Sequence, residues 1–241
     1  MSWDPASLAG ESASPLTDPR VRAVLGRLHG PSGRGGGGGR GGGRAGGGGP
    51  GGWRDAGGGS GGYSPRTDPF ASAGRPLSIQ PDQGDLIYLL CRALGATRVV
   101  DFATSVGVSA IYFAAAVRDN GGGTVIGAEI VPEKAAAARR NLAEAGLAEF
   151  ADIRLGDARE TLRDLGGPAD FALIDGFPVD AGPSLARQVF DIVAPQLRIG
   201  ALVLNDNGEP DFLSYVRDPA RGFLSLSLPI KGSTELSVKV A

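Results

Sequence analysis

The chain has 241 residues, 41 of them glycine, and a formal net charge of −2. Residues 30–62 hold 21 of those glycines. A tract with so little to bury cannot offset the entropy of ordering its backbone, which excludes one folded domain over the whole length, and the lack of a G-X-Y period excludes collagen. The charge is divided: residues 30–75 carry six arginines against two aspartates, and the remainder carries 18 basic against 24 acidic residues, so the folded part is acidic and poorly suited to broad contact with nucleic-acid phosphates.

Residues 1–17 are rich in Ser, Pro and Ala and read as a flexible lead-in. Asp18-Pro19 then supplies an N-cap and a first-turn proline, and Val21, Val24, Leu25 and Leu28 follow at helical spacing. One short amphipathic helix is expected over 18–29, standing apart from the main domain. The glycine tract after it reads as a flexible linker over 30–75; its Arg/Gly repeats also resemble RNA-binding tails, which makes RNA binding through the tract the alternative. A single cysteine, Cys91, and a single histidine, His29, exclude an internal disulfide and Cys/His zinc sites. Cys91 reads as a small apolar residue on a helix face. No leader-like segment and no uncharged apolar run of membrane-spanning length appears, so a soluble, cytoplasmic protein with no membrane partner is expected.

The main domain is expected over 76–241. Leu86, Leu89, Leu90 and Leu94 mark a helix over 83–94, and RVVDF at 98–102 is a short apolar run of the buried-strand kind. Helix 109–118, strand 124–129, helix 132–145, strand 151–155, helix 158–165, strand 170–175, helix 184–196 and strand 201–205 follow. Five strands alternating with helices imply a doubly wound α/β domain around a parallel sheet. The ending departs from that alternation. Residues 222–228 and 235–240 are two alternating strands joined by a short loop, which pair antiparallel. A seven-stranded, mostly parallel sheet finished by an antiparallel hairpin is not the dinucleotide-binding arrangement.

In open α/β sheets ligands bind beyond the carboxyl ends of the strands, and here those ends carry Asp101, Glu129, Asp157, Asp175, and Asp206 with Asn207. The first turn, DFATSVGVS, offers only Gly107 where a dinucleotide fold wants three glycines. Asp101 would repel a diphosphate and suits a cationic amine, such as the methionine end of S-adenosylmethionine; it equally suits capping of nearby amides. Glu129 is placed to accept two hydrogen bonds from a ribose diol, or to stand as a solvated strand-end acid. Asp157 suits the exocyclic amine of adenine, the N-cap of the next helix, or both. Asp175, Asp206 and Asn207 form an all-oxygen set that suits Mg²⁺, although an Asp-Asn pair also shapes turns. A cation there would lower the pKa of a substrate hydroxyl.

Together the segments SIQPDQGDLIYLL, VVDFATSVGVSAIYFA, VIGAEIVPEKAAAARRNLAEAG, GDARETL, FALIDG, GALVLNDN and the tail from Tyr215 to Val240 resemble the metal-dependent O-methyltransferases of the catechol and caffeoyl-CoA type, over about residues 77–240. The resemblance implies a class I methyltransferase, Rossmann-like fold, S-adenosylmethionine as methyl donor, a divalent metal, and a small-molecule hydroxyl as acceptor, with nucleic acid disfavoured. By that pattern Asp101, Thr104 and Ser109 line the methionine end, with Ala103 and Gly107 in the same cofactor-binding turn, Glu129 takes the ribose, Asp157 and Ala158 the adenine, and Asp175, Asp206 and Asn207 the metal. Asp175 is the catalytic candidate, at the junction of donor and metal. Relatives often dimerise through N-terminal helices, which makes the 18–29 helix a candidate homodimer contact. Two positions depart from the pattern. Ala103 stands where the family has glycine. Pro178 stands where catechol-type members place a lysine base, and Lys134, Lys231 and Lys239 are all expected away from the site. A non-catalytic cofactor-binding module of the same fold is the corresponding alternative. Acceptor choice is expected to lie in the 177–183 and 207–212 loops, where Phe177 and Phe212 either line an apolar pocket or pack on the sheet.

Overall fold

The structure is a computed structural model and describes residues 14–30, 68–74, 76–176, 179, 182–230 and 234–241. The glycine tract, with the linker and RNA-tail readings attached to it, therefore lies outside the described residues, as do Phe177, Pro178 and Lys231.

Short apolar runs set the strands of the sheet. Strands β1 (Arg98–Phe102), β2 (Thr124–Glu129) and β3 (Ala151–Leu155) coincide with the expected spans, and β4 covers Ala169–Ile174. Strand β5 runs Leu197–Asn205, four residues longer at its start than expected. Strands β6 (Phe223–Leu228) and β7 (Thr234–Lys239) close the chain as an antiparallel pair. The seven strands form one sheet in the order β3-β2-β1-β4-β5-β7-β6, with β1 to β5 parallel and β7 antiparallel to β5.

Seven α-helices accompany the sheet among the described residues: α1 (Pro19–His29), α2 (Pro81–Leu94), α3 (Val108–Asp119), α4 (Pro132–Glu144), α5 (Ala158–Thr161), α6 (Leu185–Val193) and α7 (Pro210–Val216). Alternate residues along each strand face opposite layers. Val99, Phe171 and Leu173 pack in one core with α1 to α4, whereas Val100, Phe102, Ala172 and Ile174 pack in the other with α5 to α7. Asp101 shares the parity of Val99, so its carboxylate is turned under α3 and is 0% exposed. Cys91 is buried in α2, and burial pushes its thiol pKa up, in keeping with a packing role.

Helix α1 does not stand apart. Val21, Val24 and Leu25 are buried with Leu16 in the same core as α2 and α3. Asp18 caps the helix through the Arg20 and Val21 amides and pairs with Arg118 of α3 at 2.7 Å. Arg20 donates to the main-chain oxygens of Ala143 and Glu144, where α4 leaves its last carbonyls without helical partners. The expectation of an isolated helix is thus corrected: its apolar stripe is spent on this domain. Helix α5 is one turn rather than two: it ends at Thr161, and Leu162 and Leu165 beyond it are buried in the second core. Helix α7 starts within the 207–212 span expected as loop; Pro210 opens it, and Phe212 packs against Phe190 with ring centroids 4.8 Å apart. Phe212 is therefore a core residue and not part of a pocket wall. No helix among the described residues is long and apolar enough to cross a membrane.

Candidate active site

The strand order reverses direction between β2-β1 and β4-β5, and this switch point opens a crevice at the carboxyl ends of the strands. A cavity of about 410 Å³ occupies it. Its wall is built from residues following four adjacent strands: Ala103 and Ser105 after β1, Glu129 and Ile130 after β2, Gly156, Asp157 and Ala158 after β3, and Asp175 and Gly176 after β4. Asn207, Leu185, Pro69, Leu77, Ser78 and Lys134 complete it, together with Phe102 and Ala128.

Glu129 is the best-defined acid of the wall. Its Oε2 accepts from the Ser105 amide at 2.7 Å and its Oε1 from the Val131 amide at 2.8 Å. Two main-chain donors fix the carboxylate and leave lone pairs free to face the cavity, the arrangement a vicinal diol requires. Ser105, which the sequence reading passed over, is thereby a site residue. It has φ +52° and follows Ala103 at φ +67°. The amides of Ala103 and Thr104 both reach the Ala128 carbonyl at 3.1 Å, so the turn is strapped to β2.

The left-handed backbone at Ala103 explains why glycine suits the position: an L side chain there costs about 1–2 kcal/mol. Replacing Ala103 with Gly is expected to leave stability unchanged or raise it by up to about 1 kcal/mol despite the extra chain entropy, and to widen the cavity wall. Urea denaturation of the variant checks this; a loss above about 1 kcal/mol would contradict it.

Asp101 does not line the cavity. Its Oδ2 accepts from Ser109 Oγ at 3.0 Å, while its Oδ1 is buried with no hydrogen-bond partner. Burial pushes its carboxyl up to about 6, opposed by the nearby hydroxyls of Ser109 and Thr104 and aided by the charge of Glu129. Thr104 also donates to the Asp101 carbonyl at 2.9 Å. Thr104, Gly107 and Ser109 are likewise off the wall. Gly107 has φ +91°, and a Cβ there would meet Ala138 of α4 at 3.0 Å, so this glycine serves the turn into α3 and its close packing on α4.

Asp157 takes the capping role left open for it. It N-caps α5 by accepting from the Arg159 amide at 2.9 Å, and it lines the cavity. Its side-chain bonds to Arg159 hold its carboxyl below the usual range. Asp175 and Asn207 meet at the mouth, Asn207 Nδ2 donating to Asp175 Oδ1 at 2.8 Å. Asp206 is 1% exposed and accepts from Gln83 Nε2 of α2. The loop after β5 is shaped by Asn205, which donates to Ile174 O and Glu209 and accepts from the Gly208 amide. The structure thus brings Asp175 and Asn207 to the cavity and turns Asp206 toward α2. Among the described residues no three His, Cys, Asp or Glu side chains form a metal-binding group.

The expectation that all lysines lie away from the site is corrected at Lys134, which is 3% exposed and part of the cavity wall. Lys239 does lie elsewhere, donating to Ala194 O and Leu197 O at 3.0 Å each.

A methyltransferase domain family matches residues 102–208, the span that contains every strand-end acid of the cavity wall. A catechol O-methyltransferase of Niastella koreensis is 34% identical over 146 residues, covering 58% of this chain and 63% of that protein, so the match spans less than two thirds of the relative's length. A protein of Mycolicibacterium smegmatis assigned as an O-methyltransferase is 31% identical over 152 residues, covering 60% of this chain and 71% of its own. Among solved structures, the O-methyltransferase TomG of Streptomyces achromogenes, involved in tomaymycin synthesis and solved in complex with SAM, superposes with a TM-score of 0.53 at 25% identity, covering 71% of this chain and 87% of that one.

Proposed function

This chain belongs to the class I O-methyltransferase family that includes the catechol enzymes, and from that premise we propose that it transfers a methyl group from S-adenosylmethionine to a hydroxyl of a small molecule. The observation that carries the reading is Glu129, fixed by two main-chain amides at the wall of a switch-point cavity. The orphaned Oδ1 of Asp101 is a second fit to the donor, since a buried carboxylate oxygen without a partner suits a cationic amine. In this reading Glu129 holds the ribose, Gly156, Asp157 and Ala158 bound the adenine, and the turn 101–105 bounds the methionine end.

Methyl transfer is an in-line displacement, so the protein's main work is orientation of donor and acceptor. Asp175 and Asn207 stand at the mouth, where an acceptor hydroxyl would enter. Two carboxylates and an amide oxygen suit a hard divalent cation in kind; in position Asp175 and Asn207 meet at the cavity, with the Asn207 amide nitrogen facing Asp175. In this reading the three residues would hold such an ion only once Asp206 leaves Gln83 and turns toward Asp175; when bound, the ion would acidify the acceptor hydroxyl. Gln83 restrains Asp206 from the side of α2. In sequence Pro178 stands where the family has its lysine base, so proton loss would rest on the acidity that the bound ion gives the hydroxyl.

S-adenosylhomocysteine is expected to raise the melting temperature of the protein, by the stabilisation that any ligand selective for the folded state confers. With labelled donor and a panel of catechols and simple phenols, methylated product is expected. A chelator should abolish turnover, added Mg²⁺ should restore it, and Asp175→Asn should lower turnover by about 10²–10⁴-fold. An unmoved melting temperature at millimolar ligand would sink the enzyme reading, and full activity in chelator would remove the metal from it.

A further inference from the structure

Lys134 is a buried cation that the reaction as outlined does not use. It sits in the first turn of α4, five residues past Glu129, and is 3% exposed although its side chain is part of the cavity wall. Among the described residues no carboxylate lies within ion-pair distance of its ammonium, and none accepts a hydrogen bond from it; Glu129 acts on it through its charge alone. Lys134 lines the cavity, and the cavity is the open space its side chain adjoins. Burying an ammonium without a partner is costly. A site that keeps one there is completed by a ligand oxygen. Glu129 supplies the complementary half: its oxygens already hold the Ser105 and Val131 amides, so it accepts from a diol but cannot donate to one.

We propose that Lys134 is a cofactor-positioning residue that donates a hydrogen bond to a ribose hydroxyl oxygen of the S-adenosyl ligand, on the wall shared with Glu129. This rests on the cofactor reading above. Each ribose hydroxyl can donate to Glu129 and still accept from Lys134, so the two side chains would grip the sugar as acceptor and donor. Burial lowers the pKa of the amine and the charge of Glu129 raises it; Asp157 and Asp175 are the other titratable acids of the same wall.

The test compares wild type with Lys134→Met by calorimetric titration of S-adenosylhomocysteine and of its 2′,3′-dideoxy analogue. The variant is expected to bind S-adenosylhomocysteine about tenfold or more weakly, the scale of a hydrogen bond to a charged group, and to bind the dideoxy analogue as wild type does. Lys134→Arg should recover part of the loss. Equal affinities of wild type and Lys134→Met for S-adenosylhomocysteine would overturn the inference, as would equal losses toward both ligands, which would mark a change of shape alone. Should the methionine variant fail to fold, Lys134→Leu, which also lacks a donor, carries the same comparison. If wild type itself binds no S-adenosylhomocysteine, the cofactor reading falls and takes this inference with it, a result distinct from wild-type binding that is unchanged in the variants.

Discussion

Glu129→Ala is expected to weaken S-adenosylhomocysteine binding by about 100-fold or more, the largest loss we expect from any single side chain of the cavity wall. Two effects combine. The ligand's diol loses hydrogen bonds to a charged acceptor, each worth about 1.5–3 kcal/mol. The amides of Ser105 and Val131 also lose their acceptor, a cost of about 1–3 kcal/mol that falls on the protein's stability and acts on binding through the turn those amides hold. Ser105 and Ala103 both hold positive φ, so the turn 103–105 is a strained segment whose tie to Glu129 helps to pay for its shape. Relaxation of that turn would move the wall the methionine end lies against. Glu129→Gln should be nearly as damaging, because its amide nitrogen would face a main-chain donor. Titration calorimetry with S-adenosylhomocysteine decides the matter, and an affinity within threefold of wild type would refute the ribose assignment. Unfolding of the free variant gives an internal control: a modest drop in melting temperature accompanies the freed amides.

The strands were the most legible part of the fold. RVVDF, TVIGAE and ADIRL are short runs bounded by turns, and in a parallel sheet covered on both faces such runs have no competing structure. The start of β5 was less so: Arg198, Ile199 and Gly200 carry no apolar period, and these residues extend the strand past an irregular register between β4 and β5. Helix α7 was hidden by the Asp-Asn-Gly before it, which reads as a turn, although Glu209-Pro210 is a start signal in its own right. The apolar stripe of α1 was legible, but a stripe does not say what covers it. The glycine tract suggested separation, and only the packed Leu16, Val21, Val24 and Leu25 show otherwise.

Within the site, strand-end acids could be read because topology alone puts them at one rim. Glu129, Asp157 and Asp175 do line the cavity. Asp101 is at the same rim in sequence, yet strand parity turns it under α3. Asp206 is drawn to Gln83, a contact between residues 123 positions apart that no local pattern announces. Lys134 was missed for a similar reason. In EKAAAARRN it looks like one charge of a solvated helix face, and only the approach of α4 to the sheet encloses it.

Asp101→Asn is expected to stabilise the free protein at pH 7 while weakening its hold on the cofactor. The carboxyl stands at about 6 in the folded chain against an ordinary value of 3.8, so the folded state binds the proton more tightly than the unfolded one. The resulting stabilisation is complete below pH 4 and is lost as pH rises through 6. Above that, folding keeps an ionised carboxylate wholly buried with one oxygen unpartnered. A displacement of this size corresponds to roughly 3 kcal/mol. Asparagine keeps the shape, can still accept from Ser109, and removes the titration. Denaturant unfolding at pH 4 and pH 7 should therefore show near-equal stabilities at the lower pH and a variant more stable by about 1–3 kcal/mol at the higher. Affinity for S-adenosylhomocysteine should fall in the same variant, because in the proposed reading the charge that is costly to bury is the one the ligand's amine would offset. A variant that is less stable at pH 7, or whose advantage is the same at both pH values, would show that Asp101 is not held as a strained anion. A variant that gains stability and binds the ligand as well as wild type would detach Asp101 from the cofactor and leave Glu129 as the sole acid that grips it.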